Sequence, residues 1–328
     1  MSDRRTLYLH IGVHRTATTA IQATMYRNWK TFRDRGFLYP LGVERHISTF
    51  NDIFFGHTTA KAVAADLVKR AGAHPVPIHT LIMSDEDVSM RRDLSPLRAF
   101  ADHFDVKVIF AMRRQDLWLE SWWAQNVKGQ WDRRYCHMPW PEFLERRADF
   151  HWIDYATYID HIEQVFGDGS VKPYVFERSQ MPCGPIAAFC KQFGFRNAAS
   201  LVKAGGENIS LTPEVSEFVR HLPLIEAPMQ LRLRLIAMAE AVDRHVRSEK
   251  PATLMIPHDQ RTAIMKQFEP GNRRIAQRFF RRGQLFLEPL PAADTPVTTP
   301  ALPYGSSQVM TRLVSPFVSE VVNDLKKP

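Results

Sequence analysis

LYLHIGVHRTATTAIQ, Leu7 to Gln22, sets an apolar strand, a short loop of small and cationic residues, and a helix in immediate succession. Tyr8, His10 and Gly12 alternate with Leu7, Leu9 and Ile11 as a strand requires, whereas Ile21, Met25, Asn28 and Trp29 recur at helical spacing. The loop between them is VHRTATT. Amides at the start of a helix lack intrahelical partners and the macrodipole there is positive, so a phosphate or sulfate gains both hydrogen bonds and field. Thr18 and Thr19 add hydroxyl donors at that end.

The loop departs from the Walker pattern GxxxxGK[ST], whose lysine reaches the terminal phosphates of a nucleotide. Counting from Gly12 brings Thr18 to the lysine position, and the loop's cation, Arg15, stands three residues earlier. That makes a poor ATP site. A displaced cation followed by a small residue and two threonines resembles the phosphosulfate loop of the sulfotransferases, usually Pro-Lys-Thr-Gly-Thr-Thr, or His-Lys in many bacterial members. The resemblance implies that His14, Arg15, Thr16, Ala17, Thr18 and Thr19 bind 3′-phosphoadenosine-5′-phosphosulfate. Arg15 replaces the family lysine by a planar fork of the same charge. Ala17 replaces the family glycine, tolerable only if the backbone there has negative φ.

A second segment matches the same family. VKVIFAM, Val106 to Met112, reads as a buried parallel strand and runs into RRQDLWLESWWAQNVKG. In sulfotransferases an arginine ends this strand and a serine follows eight residues later, the two holding the 3′-phosphate; Arg113 and Ser121 stand at that separation. A guanidinium and a hydroxyl suit a phosphate monoester carrying most of two charges. Arg114 is the competing arginine. Trp118, Trp122 and Trp123 read as core residues packing the helix, with adenine stacking as the alternative.

Further along, LIMSDEDVS (Leu81 to Ser89) resembles the Ser-Ser-Glu that follows the second strand of bacterial relatives, and Glu86 matches its glutamate. VKPYVFERS, ENISLTPE and EPGNRRIAQRFF resemble later family segments by composition and order, so the similarity runs from about Leu7 to about Phe286. The implied fold is α/β, a three-layer P-loop sulfotransferase-like domain whose central, mainly parallel sheet is flanked by helices. Strands are expected near Leu7 to Ile11, His79 to Met83, Val106 to Met112 and Val171 to Phe176. Their carboxyl ends carry Arg15, Glu86 and Arg113, the edge where open α/β sheets bind ligands. The domain is expected over 1–287, with a helical insertion near 207–250. Residues 288–328 form a Pro-rich arm and a C-terminal helix, docking on its own subunit or on a partner, which allows a homo-oligomer.

The chain has 328 residues, 45% of them apolar, and a net charge of +8. The basic balance suits a polyanionic nucleotide, and no helix-turn-helix, zinc or RNA-binding signature calls for nucleic acid. No apolar run reaches membrane-spanning length, MSDRRTLYLH lacks the core of a signal peptide, and three cysteines suit a reducing compartment. A cytoplasmic protein is expected. The cysteine spacing offers no zinc site, and no metal is required.

The resemblance implies in-line displacement at sulfur by an acceptor hydroxyl or amine. The acceptor is expected to be carbohydrate or glycolipid, then a small metabolite. Arg15 opposes charge on the leaving oxygen. Glu86 is the expected base, followed by His57 and then His46; a glutamate needs a raised pKa for that task. Three other readings are a P-loop kinase or NTPase, a nucleotide-binding but inactive relative, and a basic adaptor that uses the arm to bind a partner.

Overall fold

The computed structural model describes residues 4–203, 210–247 and 254–326. By contacts the chain forms two compact units, the first made of 1–115, 150–206 and 266–289, the second of 116–149, 207–265 and 290–328. Glu207, Asn208 and Ile209, which open the ENISLTPE segment and the expected insertion, lie outside the described residues.

The first unit is α/β. Its sheet comprises β1 (Thr6–His10), β2 (Phe37–Leu38), β3 (Thr80–Ser84), β4 (Asp105–Met112) and β5 (Val171–Val175) in the order β2-β3-β1-β4-β5. All pairings are parallel, with Thr6 opposite both Thr80 and Asp105, and His10 opposite both Ser84 and Ile109. The four expected strands are present within one residue at most ends, and β2, only two residues long, is too short for periodicity to reveal. Parallel strands need crossover helices. These include α1 (Thr18–Arg27), α2 (Trp29–Arg33), α3 (Ile47–Phe54), α4 (Ala60–Gly72), α7 (Tyr155–Phe166) and α8 (Gly184–Gln192).

Side-chain alternation then assigns the faces. Ile109 and Ala111 of β4 join Ile82 and Tyr174 in one cluster with Ile21, Met25, Phe32 and Phe189 from α1, α2 and α8. Phe110 points the other way and meets the rings of Tyr155 and Tyr158 on α7, with centroids 5.8 and 5.5 Å apart. Both faces of the sheet are therefore covered, as its continuous apolar strands require.

The second unit contains α5 (Gln115–Gly129) from Asp116 onward, α6 (Trp140–Glu145), α9 (Pro213–Arg220), α10 (Met229–Val246) and the start of α11 (His258–Phe280). It also holds the terminal helices α12 (Ser306–Val309) and α13 (Ser315–Leu325). Trp118 and Trp123 are fully buried and Trp122 nearly so, which fixes them as core residues. Buried Arg261 pairs with Asp116 and with Glu120, 2.7 Å away, while Glu120 also accepts from the amides of Met255 and Ile256. The last helix docks within its own chain: Phe317 meets Phe218 of α9 edge-on at 5.6 Å, and Arg234 of α10 donates to Asp324. Residues 288–303 carry no helix or strand. No helix among the described residues is long and apolar enough to cross a membrane.

Candidate functional site

The loop after β1 is laid along the end of β4 by backbone bonds, from the Ile11 amide to the Ile109 carbonyl (3.3 Å) and from the Ala111 amide to the Gly12 carbonyl (2.7 Å). Gly12 has φ 97, and a Cβ on it would stand 3.0 Å from the Glu86 Cβ, so this position needs glycine for two independent reasons. The Thr16 hydroxyl is buried and donates to the Val13 carbonyl at 2.5 Å, tying the loop to itself. Arg15 and Ala17 both have left-handed backbone, φ 66 and φ 62. The expectation of negative φ at Ala17 is therefore corrected: the backbone here is the one a glycine would favour, and the alanine carries a cost of about 1 kcal/mol or more. Ala17 is also the N-cap of α1, and its side chain supplies no bond to the first amides of that helix. Thr18 is buried beneath them and Thr19 is exposed.

Two guanidinium groups converge on this loop. Arg113, just beyond β4, donates from Nη1 to the Arg15 carbonyl at 2.9 Å and stands 6.0 Å from the centre of the Phe176 ring. Its backbone is held by Tyr155, whose hydroxyl donates to the Arg113 carbonyl at 2.5 Å and accepts from its amide at 3.1 Å. Burial, joined by the charge of Arg113, lowers the Arg15 pKa to about 10. Arg114 is directed elsewhere: its Nη1 donates to the carbonyls of Glu288 and Pro289. Ser121 lies on α5 in the second unit.

The turn after β3 packs against the other side of the loop. Its three carboxylates, Asp85, Glu86 and Asp87, face Arg45, which donates to Asp85 at 2.8 and 2.6 Å, pairs with Asp87 at 2.7 Å and lies 3.5 Å from Glu86. Gln22 of α1 donates to Glu86 at 2.5 Å and to Ser84 at 3.2 Å. His14 of the loop brings its Nε2 to 3.0 Å from Asp87. The three acids respond differently. Burial, with Asp87 and Glu86 nearby, carries Asp85 up to about 6 despite Arg45. For Glu86 burial also acts upward, but the charges of His14 and Arg45 and the Gln22 hydrogen bond outweigh it and hold the carboxyl below its usual range. Asp87 falls to about 2 because its hydrogen bond and attraction to His14, together with Arg45, overcome burial.

This geometry bears on each expected base. Glu86 has the opposite of the raised pKa that proton abstraction near neutrality needs. His46 is buried with both nitrogens engaged: Nδ1 accepts from the Ser84 amide and Nε2 contacts the Pro40 carbonyl, each at 3.1 Å, and burial drops its pKa to about 4. His57 is exposed beyond α3, where its neighbours are the Asp52 carboxylate at 3.3 Å and the Phe55 ring. Among the described residues, no group of three or more His, Cys, Asp or Glu side chains could hold a metal ion.

Arg15, Arg113, His14 and Glu86, scattered over a hundred residues of sequence, thus lie around one loop at the carboxyl edge of one sheet. Sequence reasoning missed Arg45, Gln22, Asp87 and Tyr155. Gln22 had a signal, since it follows Thr18 by one helical turn on the buried face, and Asp87 sits beside a residue already singled out. Arg45 had none, because it comes from an irregular segment with no period. Compared with known proteins, the chain matches no family model and no curated protein.

Proposed function

We propose that the protein transfers a sulfuryl group from 3′-phosphoadenosine-5′-phosphosulfate to a hydroxyl or amine of an acceptor. The carrying observation is the convergence of Arg15 and Arg113 on a loop that opens into a helix whose N-cap residue, Ala17, offers no side-chain bond. Two like charges brought together under partial burial disfavour each other, and a polyanion relieves that cost for both. The donor fits these residues: it supplies the activated sulfuryl group and carries phosphate at two positions, and the chain offers a cation for each.

In this reading Arg15, the α1 amides and Thr18 and Thr19 oppose the negative charge that develops on the leaving oxygen, a contribution on the order of several kcal/mol. His14, Thr16 and Ala17 shape the loop. Arg113 holds the 3′-phosphate, with Ser121 as the second donor assigned by spacing. Thr18 at the Walker lysine position disfavours nucleoside triphosphate chemistry, and the arginines supply the countercharge that magnesium gives a kinase. The acceptor classes proposed are carbohydrate or glycolipid first and a small metabolite second; the acceptor pocket itself is built from loops that vary independently of the donor site.

Thermal melting tests the donor half of the proposal. At about 100 times its dissociation constant a ligand stabilises by roughly 2.7 kcal/mol, which at about 2 °C per kcal/mol raises melting by roughly 5 °C. Adenosine 3′,5′-bisphosphate is expected to do this without magnesium, and ATP with magnesium to do less. The reverse order refutes the proposal in favour of a kinase or NTPase.

A further inference from the structure

Where α1 ends and α2 begins, the first unit carries an apolar and strongly basic surface that sulfuryl transfer does not use. Tyr26 is 41% exposed, Trp29 39% and Val202 65%. Single exposed apolar side chains are ordinary, but these three are brought together. Asn28, between the two aromatics in sequence, acts as a peptide group toward Val202: its Nδ2 donates to the Val202 carbonyl and its Oδ1 accepts from the Val202 amide, each at 2.9 Å. The start of the same loop is anchored by Phe195, whose ring packs on that of Phe32 in α2 with centroids 4.5 Å apart.

Charge is concentrated on the same two segments. Residues 26–35 and 196–203 hold six cations, Arg27, Lys30, Arg33, Arg35, Arg196 and Lys203, against one acid, which is a net +5 of the chain's +8. The acid, Asp34, is already paired with Arg33 at 2.7 Å. Arg27, Lys30 and Lys203 are exposed. Lys30 and Arg33 stand over the Trp29 ring, 5.7 and 5.1 Å from its centre.

We propose that this surface docks the protein on an anionic lipid bilayer, with Tyr26, Trp29 and Val202 entering the headgroup region and the surrounding lysines and arginines meeting the lipid phosphates. Tryptophan and tyrosine settle at a lipid–water boundary because each joins an apolar body to a polar tip. Lysine and arginine lay their methylene stems along the apolar layer and keep their charge at the phosphates. Single-stranded nucleic acid is the competing polyanion, and it grips by stacking bases on open ring faces. Stacking on Trp29 competes with the cations already over its ring, whereas insertion among headgroups keeps them there. The surface also stands apart from the candidate site: α1 runs from Thr18 at the anion loop to Arg27, roughly 13 Å at 1.5 Å per residue. Docking uses none of the loop's residues, so the inference does not rest on the sulfuryl-transfer reading.

Co-sedimentation of the full chain with vesicles tests it. The vesicles are phosphatidylcholine alone, or phosphatidylcholine with about one third phosphatidylglycerol, at about 0.1 M salt, where the surface field reaches about 10 Å. Anionic vesicles are expected to bind at least about 20-fold more tightly than neutral ones. Arg27→Gln with Lys30→Gln is expected to weaken that binding by about 25-fold, fivefold for each cation. Trp29→Ala with Val202→Ser is expected to weaken it by about fivefold or more through lost apolar contact. Lys61→Gln with Lys69→Gln removes the same charge from exposed positions of α4, and is expected to change binding by less than about threefold because distant charges are screened. Brominated lipids report insertion directly: they are expected to quench tryptophan emission in the unaltered protein and to leave most of it in Trp29→Phe. All the substituted side chains are exposed, so melting is expected to hold within about 2 °C, which separates docking from unfolding. No binding to either vesicle, equal binding to both, an equal loss in the α4 variant, absent quenching, or quenching that survives in Trp29→Phe overturns the inference. Binding of an oligothymidine with the same dependence on Arg27, Lys30 and Trp29, by a protein that ignores vesicles, overturns it in favour of single-stranded nucleic acid.

Discussion

Acidification is expected to unfold the α/β unit through two histidines that have no part in the chemistry. His10 and His46 are each 1% exposed, and burial lowers both to about 4. In the unfolded chain each takes a proton below about 6.5, so between 6.5 and 4 the unfolded state binds more protons and stability falls as the pH drops. By pH 4.5 each ring costs about 2.5 kcal/mol, from the ratio of its two binding polynomials. Asp85 acts against this. Its pKa rises to about 6, so the folded state binds the extra proton and gains about 2 kcal/mol over the same range. The net loss from pH 7 to 4.5 is about 3 kcal/mol, a large share of a typical domain's stability. Urea unfolding at a series of pH values measures it, and NMR titration of the imidazole carbons reports each ring directly. His46→Gln preserves an acceptor toward Ser84 and a donor toward Pro40, and is expected to remove about half of the two-histidine loss. Stability unchanged from pH 7 to 4.5, or a His46 ring titrating near 6.5, refutes the reasoning.

Three further outcomes follow from the same geometry. Ala17→Gly relieves the left-handed alanine and is expected to gain about 0.5 to 1 kcal/mol, or about 2 °C in melting, against the entropy that glycine adds to the unfolded chain; a loss of stability contradicts the loop geometry. Arg45→Met leaves Asp85 and Asp87 without their shared cation and is expected to cost about 3 kcal/mol at pH 8. The cost is less at pH 5, where the carboxyls can protonate; a cost independent of pH, measured by urea unfolding, removes Arg45 as the organiser of the turn. Ser121→Ala is expected to weaken nucleotides bearing a 3′-phosphate by about 1 kcal/mol and leave others unaffected, and equal losses for both in calorimetric titration exclude Ser121 from that phosphate.

Four of the strands and the edge that carries Arg15, Glu86 and Arg113 were legible because parallel strands are continuous apolar runs and crossover topology brings their carboxyl ends together. Spacing favours Arg113 over Arg114 for the 3′-phosphate, and tertiary contact separates the two: Arg113 donates to the Arg15 carbonyl of the loop, Arg114 to the carbonyls of Glu288 and Pro289. The backbone at Ala17 was illegible, as no residue type announces a left-handed alanine. The protonation roles were equally hidden. Glu86 looked like a base because it follows a strand at the binding edge, but its pKa is set by His14, Arg45 and Gln22, which converge only in three dimensions.

The central claim, sulfuryl transfer assisted by Arg15, is tested most directly by mass spectrometry of a sugar and glycolipid acceptor panel. The panel is incubated with 3′-phosphoadenosine-5′-phosphosulfate and the unaltered protein, Arg15→Ala or Arg15→Lys. The account predicts a product heavier by one sulfuryl group with the unaltered protein, most of it lost with Arg15→Ala and retained or increased with Arg15→Lys, because an ammonium supplies the same charge at the bridging oxygen. Undiminished product with Arg15→Ala, or no sulfated acceptor while adenosine 3′,5′-bisphosphate still binds, contradicts it.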